Sequence, residues 1–161
     1  GLFAGTLVRC GEYHKIKNRP GCREAFAAAK DIHLVVTSMG DMQDEHALFR
    51  IWCNDCAKEW TPSWKDEAVA DIQYRPYGAN GFLRDSKSDL RAVTLFELDD
   101  LVALAGRKNR HVILIARQCG LCEPRRTRAR ALLPILKNPH MRVFSRLVLD
   151  SPTAYELLQA A

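Results

Sequence analysis

Apolar residues along this chain gather in short runs, and their spacing separates strands from helices. Ile32–Thr37 (IHLVVT), Ala47–Trp52 (ALFRIW) and Val112–Ala116 (VILIA) are strand-sized runs bounded by polar residues. Ile72–Tyr74 adds a short extended piece, and Val143–Leu149 alternates weakly, as an open-faced strand does. Glu24–Lys30 (EAFAAAK) is a short helix by propensity. Ser63–Ala70 reads as a helix capped by Ser63, with Lys65, Asp66 and Glu67 in its first turn. Thr94 followed by Glu97 predicts a capping box opening a helix to Ala105, with Leu95, Leu98, Leu101 and Val102 as its apolar stripe and Gly106 as its stop. Thr127–Leu136 is a further helix that Pro134 should kink or shorten, and Ser151-Pro152 starts a last one.

The connections are polar. Asn18-Arg19-Pro20-Gly21 is a turn, Met39–Glu45 a polar loop, and Tyr77–Asp89 the longest loop-like stretch. The alternation of elements predicts one α+β domain over residues 1–161.

Composition changes the picture in one respect. A chain of 161 residues can bury a core without covalent staples, so its six cysteines need another explanation. The longest apolar run, His111–Ala116, is far below the roughly 20 residues needed to cross a bilayer. The first residues, GLFAGTLVRC, lack the basic start and apolar stretch of a signal peptide. An intracellular place, cytoplasm or nucleus, and no membrane partner are therefore expected.

The cysteines form a pattern. Cys53-Asn54-Asp55-Cys56 and Cys119-Gly120-Leu121-Cys122 each follow a predicted strand. Two thiolates separated by two residues grip one ion from a single turn, and a second such turn completes a tetrahedron. Backbone amides in the turns orient the sulfurs. Four thiolates leave no position open for water, which makes the expected zinc structural. Arg50, Lys58, Arg117, Arg125 and Arg126 lie close in sequence to offset its charge.

Ile51–Cys56 and His111–Cys122 resemble the two knuckles of a zinc ribbon. The 62 residues between the pairs exceed the usual spacing of about 15–20. The resemblance therefore implies a zinc-ribbon-like element over 46–58 and 109–124, with a long, largely helical insertion over 59–108. A second resemblance is redox: Trp52-Cys53-x-x-Cys56 with Pro62 beyond it is similar to the active-site stretch of thioredoxin-like proteins. Against that, Thr61-Pro62-Ser63 and Glu123-Pro124 interrupt the helix that should follow each pair. Cys10, His14, Cys22 and His33 offer the donors of a second metal site, at spacings that fit no compact knuckle. No His-x-Glu accompanies the pairs, which excludes the zinc-deaminase signature. Nothing singles out a catalytic set, so a non-enzymatic module is favoured.

Charge is unevenly spread. Residues 1–106 carry 13 basic and 16 acidic side chains, net −3, whereas residues 107–130 carry eight basic (Arg107, Lys108, Arg110, Arg117, Arg125, Arg126, Arg128 and Arg130) and one acidic, net +7. Seven of these, all but Arg117, are the expected contacts to an anionic partner. Tyr74, Tyr77 and Phe82 could stack on unpaired bases. Trp52, Trp60 and Trp64 bracket the first knuckle, where packing around a metal is the ordinary role. The expectation is a zinc-stabilised basic module that binds RNA or DNA, with a protein-docking adaptor and a thiol-disulfide oxidoreductase using Cys53-Cys56 as alternatives.

Overall fold

A computed structural model of the chain describes residues 7–51, 66–83, 90–122 and 124–160. Cys53, Cys56 and the three tryptophans lie outside these residues. The elements run β1 (Leu7–Arg9), α1 (Cys10–Lys17), α2 (Cys22–Ala28), β2 (Leu34–Asp41), β3 (Ala70–Ile72), β4 (Arg75–Tyr77), β5 (Leu90–Ala92), α3 (Leu98–Ala105), β6 (His111–Ala116), α4 (Ala129–Lys137), β7 (Arg146–Leu149) and α5 (Ser151–Gln159). No helix among them is long and apolar enough to cross a membrane.

The central sheet has the order β4-β3-β2-β6-β7. β2, β6 and β7 are mutually parallel, with Val36 opposite Ile113 and Ile115 opposite Val148. β3 and β4 extend the sheet antiparallel beyond β2. β1 and β5 form a separate antiparallel pair, against which α1 packs Tyr13 and Ile16 beside Val93.

The parallel strands bury one face. Val35, Val112, Leu114 and Ala116 meet Leu101 and Leu104 of α3 and Leu132 and Ile135 of α4 in one core. Ala70, Ile72 and Tyr77 from the β3–β4 hairpin belong to the same core. Parallel strands usually read as apolar throughout because both faces are covered. Here, among the described residues, the opposite face carries exposed apolar side chains: Leu34 is 53%, Val36 56% and Val148 50% exposed.

Local chemistry fixes the hairpin. Its two-residue turn, Gln73-Tyr74, has φ of 53° and 60°. Both residues sit in the left-handed region, as a type I′ turn requires. The Tyr74 amide donates to the Asp71 carboxylate at 3.1 Å, which holds that turn closed. Asp71 pairs with Gly40 of β2, where an added Cβ would stand 2.3 Å from Asp71 Oδ1. Only glycine lets the two strands meet around that carboxylate.

Several expectations are corrected here. Residues 48–51, expected as a strand, make a helical turn, with the Ile51 amide donating to the Ala47 carbonyl at 2.9 Å. This turn buries Phe49 and leaves Leu48 exposed. α3 starts at Leu98, not Thr94: its capping box is Glu97 with Asp100, whose carboxylate accepts from the Glu97 amide at 2.9 Å. Thr94 is drawn away to Arg75, which donates to its hydroxyl at 3.0 Å. The far end of the expected Ser63–Ala70 helix is strand at Ala70, and the residues from Ser63 to Lys65 lie outside the described set. Asp150, one residue before the expected Ser151, caps α5 by accepting from the Thr153 amide.

The α+β expectation holds at the level of helices packed on a mixed sheet. A zinc ribbon is not formed among the described residues. β6, read as a ribbon strand, is clamped between parallel β2 and β7 rather than paired in a hairpin.

Pro134 lies inside α4 without ending it. A proline there removes an amide donor and crowds the preceding turn. The fully buried Tyr77 donates its hydroxyl to the Ala131 carbonyl, in that turn, at 2.7 Å. Tyr77→Phe should cost about 0.5–1.5 kcal/mol, the net worth of one hydrogen bond. A urea melt that finds the variant as stable as the parent would refute this role.

Candidate metal centre and the adjoining cleft

The carboxyl ends of β2, β6 and β7 open on one edge of the sheet. Two consecutive aspartate turns shape the loop after β2. Asp41 Oδ1 accepts from the Gln43 amide at 2.8 Å, and Asp44 Oδ1 accepts from the His46 amide at 2.9 Å. Short polar side chains that bond their own backbone two residues on make such turns. They direct Asp44 inward, with 3% of its side chain exposed, and place His46 beside it.

The loop after β6 arrives from the neighbouring strand. The Gln118 amide donates to Asp150 Oδ2 at 2.8 Å, tying this loop to the start of α5. Hydrogen bonds from Thr153 and Gln118 hold the Asp150 carboxyl below its ordinary value, against the effect of burial. The tight turn Cys119–Cys122 follows, with both thiols buried and Leu121 pointing to solvent.

Parallel pairing of β2 with β6 brings the two loops together. Cys122 Sγ donates to Asp44 Oδ1 at 3.1 Å and lies 3.5 Å from His46 Nδ1. Cys119 Sγ is 3.7 Å from the same nitrogen. One donor atom from each of Asp44, His46, Cys119 and Cys122 falls within 4.8 Å of all the others, a group that could hold a metal ion. The Asp44 carboxylate and Cys119 push the Cys122 thiol up to about 12. Burial works against charge on Asp44, yet Arg128, Cys122 and the His46 amide hold its carboxyl well below the usual range.

The seven expected contact residues are divided between the two ends of β6. Arg128 is buried and pairs with Asp44 Oδ2, while its Nη1 finds no partner among the described residues. Arg130 donates to Asp41 Oδ1 at 2.7 Å and to the Val69 carbonyl at 3.1 Å. Arg126 donates to the Gln43 carbonyl at 3.2 Å. Three alternate arginines thus brace the loop after β2. Arg107, Lys108 and Arg110 lie at the other end of β6, about 20 Å away by the rise of a six-residue strand. Arg110 is spent on the Ile32 and Lys30 carbonyls, Arg107 lines a shallow groove beside α3, and Lys108 is exposed. Arg117 and Arg125 are exposed at the metal-centre end. Among the potential stacking rings, Tyr77 is fully buried and Tyr74 packs beside Phe49.

Of the four expected zinc ligands, Cys119 and Cys122 come together and Cys53 and Cys56 lie outside the described residues. Asp44 and His46 were missed; the signal available was an Asp-x-His directly after a parallel strand. Cys10, His14, Cys22 and His33 are not brought into a ligand group among the described residues.

Beside the centre, a cleft of about 510 Å³ opens past the end of β2, between Gln43, Glu45, Arg50, Asp66, Arg126 and Arg130. Gln43 and Glu45 face the cleft while Asp44 and His46 face the cysteines, so one loop serves both sites. In open parallel sheets, ligands gather outside the carboxyl ends of the strands.

No family model and no curated protein sequence matches the chain. Solved structures do. A DeoR family transcriptional regulator from Listeria monocytogenes superposes with a TM-score of 0.65 at 13% identity, over 97% of this chain and 57% of that one. The full-length sorbitol operon regulator SorC from Klebsiella pneumoniae gives a TM-score of 0.63 at 18% identity, over 91% and 42%. A domain assigned to sugar binding in a transcriptional repressor from Vibrio fischeri gives 0.63 at 17%, over 99% and 57%. The chain therefore spans about half the length of these neighbours.

These findings overturn the expected zinc-finger module for RNA or DNA; the thiol-disulfide alternative rests on Cys53-Cys56, which lie outside the described residues. Arg128 and Arg130 bind this chain's own aspartates, Arg110 and Arg126 its carbonyls, and the architecture is that of the regulator structures rather than of a ribbon. At this level of identity the neighbours establish the architecture alone: nearly the whole chain shares the fold of about half of each of these regulator chains.

Proposed function

We propose that this chain is a small-molecule-sensing regulatory domain that takes its effector in the cleft past the end of β2. The observation that carries the reading is the superposition of nearly the whole chain on regulator domains, one of them assigned to sugar binding. The cleft supports it. Its volume of about 510 Å³ is in the range of small-molecule sites. Arg50 and Arg126 offer donors, and Glu45 and Asp66 offer acceptors, a mixture that suits a molecule rich in hydroxyl groups. Zinc, expected from the paired cysteines, enters this reading as a structural ion beside the cleft, not as the sensed molecule.

A thermal-shift panel of sugars and sugar phosphates tests it. An effector at about 100 times its Kd adds about 2.7 kcal/mol, which for a chain of this size raises Tm by roughly 5–10 °C. Arg126→Ala should weaken that compound at least about tenfold, the worth of one charged hydrogen bond. A panel in which nothing shifts Tm, or a variant that binds as tightly as the parent, removes the proposal.

A further inference from the structure

We propose that Asp44, His46, Cys119 and Cys122 bind one thiophilic divalent cation of the zinc class. The site is separate from the sensing cleft, and the inference does not depend on what the cleft binds.

Geometry comes first. A tetrahedral zinc ion with bonds of about 2.0–2.3 Å has ligand-to-ligand edges of about 3.3–3.8 Å. The pairs Cys122–His46, Cys119–His46 and His46–Asp44 measure 3.5, 3.7 and 3.7 Å. Cys122 to Asp44 is 3.1 Å, a hydrogen-bond distance that lengthens slightly once a cation replaces the thiol proton. Four of the six edges thus stand at or near tetrahedral length, and the other two, Cys119–Cys122 and Cys119–Asp44, lie within 4.8 Å.

Donor chemistry narrows the ion. Two sulfurs and an imidazole nitrogen suit a borderline-soft metal. Magnesium and calcium take six or more oxygens, which this group lacks. Charge agrees: two thiolates and the Asp44 carboxylate carry three negative charges, which a divalent cation and the buried Arg128 cancel.

The surroundings are those of a metal centre. Ligating carboxylates are commonly held by a second partner that fixes their orientation. Asp44 has two: Arg128 on one oxygen and the His46 amide on the other. The Asp150–Gln118 bond anchors the cysteine turn in the same way. The His46 side chain is 43% exposed, which gives an ion its route from solvent.

This set replaces the four-cysteine arrangement. Asp44 and His46 complete the tetrahedron without Cys53 and Cys56, and cobalt titration distinguishes the two. The metal-stripped chain should take up one Co2+ and show tetrahedral ligand-field bands with a thiolate-to-cobalt charge-transfer band, both bleached by added zinc. His46→Ala should weaken uptake beyond the roughly 10–100-fold that loss of an outer partner costs. His46→Cys should restore tight binding and strengthen the charge-transfer band. Cys53→Ser combined with Cys56→Ser should leave both band and affinity unchanged. His46 is half exposed, and a thermal melt of each metal-free variant, matching that of the parent, reads folding separately from binding. The proposal fails if the parent takes up no cobalt, if His46→Ala binds like the parent, or if the Cys53/Cys56 double variant loses the site.

Discussion

Arg128→Met should lower the unfolding free energy of this chain by roughly 3–5 kcal/mol, the cost of stranding one member of a buried ion pair. Asp44 and Arg128 are both nearly sealed from water, with side-chain exposures of 3% and 8%. Methionine keeps the volume of the arginine stem and removes only the charge, so packing loss is a minor part of the effect. The sign of the accompanying pH dependence follows from Asp44, whose carboxyl is held below its ordinary value in the folded chain. A depressed carboxyl stabilises the fold above about pH 4 and loses that contribution as the pH falls further. The variant should therefore lose stability at neutral pH and show a flatter acid limb. Adding Asp44→Asn to Arg128→Met should recover part of the loss, because the stranded charge is gone. Urea melts of the metal-free parent, the single variant and the double variant decide the matter. A single variant within about 1 kcal/mol of the parent would show that the pair carries little.

Asp71→Asn should have the opposite sign and nearly the same size. Burial, opposed by the Tyr74 amide and the field of Arg128, raises the Asp71 carboxyl to about 6. In the unfolded chain the same group titrates near about 4. The folded state thus prefers the protonated form, and its stability falls as the pH rises through that window. Two units correspond to about 3 kcal/mol, fully expressed above about pH 6 and absent below about pH 4. Asparagine keeps an oxygen for the Tyr74 amide and cannot ionise. The variant should therefore be more stable than the parent at pH 7 by up to that amount and equal to it near pH 4. All other titrating groups are shared, so the difference between the two pH profiles isolates Asp71. Parallel profiles would refute the assignment.

The legible parts of this fold are those that depend on neighbours in sequence. β6 announces itself as HVILIA, α3 by its leucine spacing, and α5 by Ser151-Pro152 after a polar residue. The misread parts are those decided across long separations. Ala47–Trp52 is apolar enough for a strand, but at 48–51 it turns helically to bury Phe49 against Leu7, Met42 and Leu83. Thr94 has every property of a cap, until Arg75 arrives from 19 residues away to claim its hydroxyl. The basic cluster was visible as charge, but its acids were not visible as partners. Arg128 reaches Asp44 across 84 residues and Arg130 reaches Asp41 across 89. Half of the metal centre was likewise legible. A CxxC turn marks Cys119 and Cys122 by itself, whereas Asp44 and His46 come beside them only because β2 lies parallel to β6. That pairing joins residues more than 70 apart and leaves no local trace.

The exposed apolar face of the sheet has a mechanical consequence. Among the described residues, β2, β6 and β7 are packed by helices on one face, and Leu34, Val36, Ile115 and Val148 are exposed on the other. The donor loops hang from the tips of two of these strands, so their stiffness is borrowed from a slab supported on a single side. Weight laid on the oily surface would damp the bending of that slab.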